Sequence, residues 1–272
     1  MLIRLSQAYL NFLETCPRKF QHIYLEQLSS PFTPEQQENL GWGKRFHLLM
    51  QQRELGLPVE PLLKADPPMW ESFQAIAQAA PEIFLAQSSA GFRQAEHLRT
   101  LTIDNVLLTV IYDLLIADDR RAQIIDWKTY PRPQVRQKVA DNWQTRLYLY
   151  VLAETTDYLP EQISMIYWFV RSARDRDRAT DERSSATQKL EFRYDRQQHE
   201  QTKQDLSQLL AQLQEWLKDY QHGQSFPQVP ETASKCQYCQ FAIFCRRDRS
   251  LSSLSDGDFD YPNLAEIPEI SL

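Results

Sequence analysis

Val106-Leu-Leu-Thr-Val-Ile-Tyr-Asp113-Leu-Leu-Ile-Ala117, then Asp118-Asp-Arg-Arg121, then Ala122-Gln-Ile-Ile-Asp126-Trp-Lys128: this stretch decides the fold. Residues 106–116 are almost wholly apolar, as in a strand buried on both faces, and Asp113 is the one acid among them. The four charged residues 118–121 supply a polar turn, and 122–128 bring the chain back as a second strand. Asp126 and Lys128 are two apart, so on a strand they point to one face. Two carboxylates and an ammonium thus converge at buried positions, which is costly without a partner charge. A divalent metal facing a phosphate meets that need.

Working outward, 272 residues can bury a substantial core, and 42% hydrophobic with 11% aromatic content reads as globular. No run of 18 apolar residues is present, so no membrane helix is expected. The start Met-Leu-Ile-Arg-Leu-Ser has no basic-then-apolar signal pattern, so the expected location is cytoplasmic. The net charge of −6 argues at first against a nucleic-acid partner, but five of the acids lie in residues 251–272, which hold no Lys or Arg. The body is close to neutral, and charge neither favours nor excludes DNA. Residues 1–250 are expected to form one domain, followed by a flexible acidic tail over 251–272.

In chain order, Ser6 is a candidate N-cap for a helix through about Cys16, and Pro17 breaks that helix or begins the next one over 18–27. Residues 35–55 read as a helix closed by Gly56, 58–68 as loop, and 69–80 as helix. Residues 91–103 form the first strand of a meander that turns at Asp104-Asn105 into the central hairpin. Pro131-Arg-Pro133 is a rigid connection, 139–155 a helix and 162–170 a strand. Residues 171–185 mix Arg with Asp and lack apolar residues, as in a mobile hairpin tip. Residues 188–194 return as a strand, and Asp195 caps a long helix ending at Gly223. This order predicts a mixed α/β (α+β) domain with a central mixed sheet flanked by helices.

The strand carrying Asp113 followed by Ile-Ile-Asp126-Trp-Lys128-Thr resembles the core of the PD-(D/E)XK nucleases, in particular their RecB-like branch. Asp-x-Lys alone is common and is most often a surface ion pair. The resemblance implies a restriction-endonuclease-like core. His47 stands four residues after Gly43 on a predicted helix, matching the Gly-x-x-x-His helix whose His is a metal ligand in that branch. An isolated His is more often a core or surface residue, and His22, His97, His199 and His222 fall in no family motif. Gln144 and Tyr148 are one turn apart on one helical face and match the branch's Gln-x-x-x-Tyr helix, which positions the DNA backbone and the catalytic Lys. An ordinary amphipathic helix gives the same spacing. Two positions depart from the family: Val110 stands where Gly is usual, and Leu114 follows Asp113 where Arg is usual.

The chain has four cysteines, Cys16 and then Cys236-x-x-Cys239-x₅-Cys245. A disulfide framework is not expected in a cytosolic chain of this length, whereas zinc is a serious candidate. The one-plus-three arrangement, with Cys16 in a Cys-Pro-x-Lys-Phe context, is similar to the iron–sulfur site of helicase-linked AddB nucleases and CRISPR adaptation exonucleases. That likeness implies a [4Fe–4S] cluster clipping the N- and C-terminal segments together, with Tyr238, Phe241 and Phe244 excluding water around it. Trp42, Trp127 and Trp143 could stack bases, though core positions are the better expectation for each.

The implied activity is hydrolysis of DNA by an exonuclease serving repair, recombination or CRISPR adaptation. His47, Asp113, Asp126 and the carbonyl of Trp127 would hold Mg²⁺ or Mn²⁺, and Asp113, Asp126 and Lys128 would be catalytic. No Gly-x-x-x-x-Gly-Lys-Ser/Thr loop is present, so unwinding would need a helicase or CRISPR adaptation partner. Two other readings stay open: a catalytically silent DNA-binding or scaffolding protein of the same fold, and a zinc-bound interaction module.

Overall fold

The computed structural model describes residues 2–29, 33–85, 91–130, 135–170, 188–230, 234–237 and 239–247. The expected connection at 131–133, the tip at 171–185, Tyr238 and the acidic tail lie outside the described residues. The chain divides into two compact units. A hairpin unit spans Phe32–Leu101 and Thr109–Glu200, and a terminal unit gathers Met1–Pro31, Thr102–Leu108 and Gln201–Leu272.

The hairpin unit begins with helix α3 (Pro34–Glu54), which follows α1 (Gln7–Thr15) and α2 (Pro17–Phe20) of the terminal unit in the chain. Thr33 caps α3 through its side chain, which accepts from Gln36 N–H at 3.2 Å, while the Gln36 side chain accepts from Thr33 N–H at 2.9 Å. Gly56, at φ +72°, follows the helix end. Three short helices come next: α4 (Glu60–Ala65), α5 (Pro67–Ala79) and α6 (Pro81–Leu85). The prolines of residues 58–68 suggested loop, but Pro61 occupies the first turn of α4, where its missing N–H costs nothing.

The strands are β2 (Phe92–Ile103), β3 (Val106–Ala117), β4 (Ala122–Lys128), β5 (Ile163–Phe169) and β6 (Gln188–Arg193). Their order is β3-β4-β5-β6, with β2 beside β3. Strands β3 and β4 are antiparallel from Leu114↔Ile125 to Ala117↔Ala122. Strand β5 runs parallel to β4, with Asp126 opposite Tyr167 and Lys128 opposite Phe169, and β6 closes antiparallel on β5. The mixed sheet follows from the α-helical crossover between β4 and β5, the connection that parallel neighbours require.

That crossover was expected as one helix over 139–155, but it is two: α7 (Arg136–Asp141) and α8 (Trp143–Glu154). Asn142 breaks it by adopting an extended backbone and accepting from Gln144 N–H at 2.8 Å. Asn is a preferred N-cap for this reason, so the restart overrides the helical pattern. Ile125 and Trp127 of β4 and Ile166 and Trp168 of β5 pack into a core with Phe46, Leu49 and Met50 of α3 and Met69 and Ile76 of α5. Each such aliphatic or Phe side chain contributes about 1.5–3 kcal/mol. The alternate residues of the same strands, Asp126, Lys128 and Tyr167, face α8.

In the terminal unit, β1 (Ile3–Leu5) pairs in parallel with the first residues of β3, Ile3↔Val106 to Leu5↔Leu108. Three residues are too short to show a periodicity, so this strand carries no signal of its own. Helix α1 (Gln7–Thr15) and the single turn α2 (Pro17–Phe20) follow, and a π-helical turn over Gln21–Leu25 replaces the expected continuation. Helix α9 (Arg196–Gln221) is capped by Asp195, whose carboxylate accepts from Gln198 N–H at 2.8 Å, and Gly223 at φ +82° follows it. Phe226 is buried against Phe20, ring centroids 6.0 Å apart. Arg18 Nε donates to Phe226 O at 2.7 Å, and Gln21 Oε1 accepts from Phe226 N–H at 2.6 Å.

Candidate active site and cysteine pocket

The site of the hairpin unit starts where β3 and β4 part. Beyond the Leu114↔Ile125 pair, the carboxylate of Asp113 takes the place of a backbone acceptor, and Trp127 N–H donates to its Oδ2 at 2.7 Å. In an extended strand the N–H and C=O of one residue point to the same side, so the carbonyl of Trp127 also faces β3. Its indole lies in the core.

Helix α3 delivers His47 to the other oxygen of the same carboxylate, Nδ1 to Oδ1 at 3.2 Å. It can do so because residue 43 is glycine: a Cβ there would lie 2.8 Å from Thr129 Oγ1, just past Lys128. Burial works against charge on His47, but the adjacent Asp113 carboxylate outweighs it and lifts the imidazole pKa to about 9. Burial likewise opposes ionisation of Asp113, and His47, Lys128 and the Trp127 amide together hold its pKa below the usual range.

Asp126 faces the opposite layer. Its Oδ1 lies 2.6 Å from Lys128 Nζ, and Gln144 closes the triangle by donating from Nε2 to Asp126 Oδ2 and accepting from Lys128 Nζ at Oε1, both at 2.8 Å. Burial raises Asp126 to a pKa of about 6, with Lys128 pulling the other way. The contact with Asp126 outweighs burial at Lys128 and raises its pKa, so the pair stands as ammonium and carboxylate at neutral pH. The Lys128 ammonium also lies 5.3 Å from the centre of the Tyr167 ring. The Tyr167 hydroxyl pairs with Thr145 Oγ1 at 2.8 Å on α8.

Gln144 therefore spends its amide inside the cluster, and Tyr148 is fully buried, its ring edge-on to Tyr112 and its backbone carbonyl accepting from the Tyr112 hydroxyl at 3.0 Å. Both are buried rather than on open surface. Trp127 and Trp143 are buried, and Trp42 stacks on Phe46 at 5.7 Å.

One residue of the cluster carried no signal in the sequence. Among the described residues, the group whose ligand atoms all lie within 4.8 Å of one another is His47, Glu96 and Asp113. Glu96 belongs to β2, and burial beside Asp113 raises its pKa to about 7. One imidazole and two carboxylates suit a hard divalent ion.

In the terminal unit, Cys16, Cys236, Cys239 and Cys245 are free thiols that line one pocket with Lys19, Phe241 and Arg247. Arg247 Nη1 lies 3.4 Å from Cys236 Sγ, and His22 Nε2 lies 3.9 Å from Cys245 Sγ. Burial pushes the thiols of Cys239 and Cys245 up in pKa. Phe241 is buried as expected, whereas Phe244 is 64% exposed, its ring 5.9 Å from His22 and 6.3 Å from Phe241.

Residues 4–246 match the family model of the PD-(D/E)XK nuclease superfamily, and the chain belongs to that superfamily. The mixed sheet flanked by helices agrees with a restriction-endonuclease-like core. Nucleases of this superfamily use divalent metals, as the His47–Glu96–Asp113 group accommodates, and the nuclease fold implies a DNA substrate. Among solved structures, a candidate exonuclease from Eubacterium rectale aligns over 93% of this chain and 90% of its own, with 10% identity and a TM-score of 0.49. The protein SSO0001 aligns over 92% and 89%, with 9% identity and a TM-score of 0.36. No curated protein matches the chain. No helix among the described residues is long and apolar enough to cross a membrane.

Proposed function

We propose that this chain is a metal-dependent DNA exonuclease, and the observation that carries the reading is the His47–Asp113 contact beside the Asp126–Lys128–Gln144 triangle. His47, Asp113, Asp126 and the carbonyl of Trp127 would hold Mg²⁺ or Mn²⁺. The bound ion supplies polarisation of the phosphate and a lowered pKa for a coordinated water. Lys128, kept charged by Asp126, orients that water and offsets negative charge developing on the phosphate oxygens. Gln144 fixes the direction of the ammonium through its carbonyl oxygen, and Tyr148 anchors the helix that carries Gln144.

The four cysteines would hold a [4Fe–4S] cluster, a reading supported by all four lining one pocket as free thiols. The cluster is structural in this proposal, since hydrolysis transfers no electrons. The process served, in repair, recombination or CRISPR adaptation, would be set by a helicase or adaptation partner.

The test is release of nucleotides from end-labelled linear DNA and from covalently closed circles, with Mg²⁺ or Mn²⁺. Wild type should degrade linear DNA alone, and chelation or Lys128→Ala should stop it. Equal cleavage by wild type and Asp126→Ala would place the activity elsewhere, and cutting of closed circles would replace the exonuclease reading with an endonuclease one. Iron and sulfide analysis of protein kept anaerobic tests the cluster, and stoichiometric zinc without iron would overturn it.

A further inference from the structure

Strand β2 alternates along most of its length, with odd-numbered residues half-buried and even-numbered ones exposed. Glu96 breaks the pattern. It is even-numbered, yet half-buried alongside Ala95 and His97. Its backbone explains how: φ is +49°, a left-handed residue in the middle of a strand. A non-glycine residue there is disfavoured by about 1–2 kcal/mol, and glutamate has no special tolerance for it. A Glu in ordinary extended geometry at this position would follow its neighbours Gln94 and Leu98 outward. The turned backbone sends the carboxylate inward instead, to within 4.8 Å of the ligand atoms of both His47 and Asp113.

A third anionic or neutral ligand at this point has a clear use. The carboxylate of Asp126 is engaged by Lys128 at 2.6 Å and by Gln144 at 2.8 Å, whereas Asp113 Oδ1 is met by His47 Nδ1 at 3.2 Å. An ion drawn to His47 and Asp113 meets the Glu96 carboxylate without disturbing the charged pair that Lys128 needs.

We infer that Glu96, outside every motif that the sequence displays, is a direct ligand of the divalent ion, completing a set with His47 and Asp113. This rests on the metal-dependent reading above. It adds Glu96 to the ligands proposed above and leaves the contact of Asp126 with Lys128 as it stands.

The experiment is Mn²⁺ binding to the full chain without DNA, by calorimetry and by loss of the free-ion electron paramagnetic resonance signal. Wild type, Glu96→Gln, Glu96→Asp and Asp113→Asn are compared, with circular dichroism of each metal-free protein to establish the fold. Glu96→Gln removes the charge and keeps the shape, while Glu96→Asp keeps the charge and withdraws the oxygens by one methylene. Both should lose affinity by about tenfold or more. Loss in Glu96→Gln with wild-type affinity in Glu96→Asp would mean a field effect and overturn ligation. If Glu96→Gln does not fold, the Glu96→Asp arm decides by itself. Wild-type affinity in both, with binding lost in Asp113→Asn, would remove Glu96 from the site while leaving the metal reading intact. Failure of wild type to bind Mn²⁺ at all would instead sink the metal reading itself.

Discussion

The two candidate metal-binding regions are built in opposite ways. At the hairpin, the motif residues already have partners: His47 on Asp113, Lys128 on Asp126, and Gln144 across the second pair. These side chains come from rigid elements, α3, β3, β4 and α8, so the geometry exists without an ion. At the cysteines, half-buried thiols sit on short turns, and burial keeps Cys239 and Cys245 in the uncharged form that binds metal poorly. The first region is organised by its own counter-charges. The second is to be organised by what it binds.

The largest effect expected from this contrast is at Asp126. Asp126→Ala leaves the Lys128 ammonium buried without its carboxylate, which should destabilise the protein by about 3–5 kcal/mol and cut DNA degradation by about a thousandfold. Replacing both, as Asp126→Ala with Lys128→Met, should return much of the stability and none of the activity. Urea unfolding beside nucleotide release separates these outcomes, and equal destabilisation in single and double variants would show that the pair is not the source.

Next in size is cluster loss. Cys16→Ser should release iron and lower the melting temperature by several degrees, with new proteolysis confined to residues 234–247, because Arg18, Gln21 and Phe20 still tie the N-terminal segment to Phe226. Chelating the hairpin metal should move the melting point much less. An equal fall in both experiments would erase the distinction between the two regions.

Gly43→Ala sharpens the same point on a finer scale. A methyl at this position meets Thr129 Oγ1 at 2.8 Å and pushes α3 from β4, so turnover should fall about tenfold to a hundredfold. The fold should tolerate it, since Ala is the better helix former by about 1 kcal/mol. A loss of activity without a matching loss of melting temperature is the signature.

The smallest effect is a pH dependence. Glu96 has its pKa raised from 4.5 to about 7 in the folded, metal-free protein, so its protonated form favours folding. That contribution is present below pH 4.5 and is lost as the pH rises through about 7. His47, raised from 6.5 to about 9, adds stability below pH 6.5 that is lost on passing 9. Metal-free wild type should therefore lose stability relative to Glu96→Gln between pH 4.5 and 7, read from urea midpoints. Parallel curves for the two proteins would remove Glu96 from the buried cluster.

Much of this fold was legible because its elements carry local punctuation. The strands of 106–128, the caps at Thr33 and Asp195, and Gly56 and Gly223 after their helices all have short-range causes. What escaped has causes that lie elsewhere in the chain. Strand β1 exists because residues 106–108 offer an edge, and α4 hides behind prolines that usually mark loops. The site divides the same way. Asp113, Asp126, Lys128, His47 and Gln144 stand at motif spacings, whereas Glu96 is brought in by one backbone angle that no spacing encodes. Tyr148 stood at a legible spacing too, but burial against Tyr112 gives it an interior place.

The amide of Trp127 turns the parting of β3 and β4 into a reporter. Its proton points at the Asp113 carboxylate from 2.7 Å, so its nuclear magnetic resonance frequency depends on how much electron density that oxygen retains. An ion drawing on Asp113 should shift this one backbone resonance, while the indole proton of the same residue, set in the apolar core, stays as an internal reference. Occupancy of the centre can thus be followed residue-specifically in a protein that is cutting nothing, including variants whose chemistry has been removed.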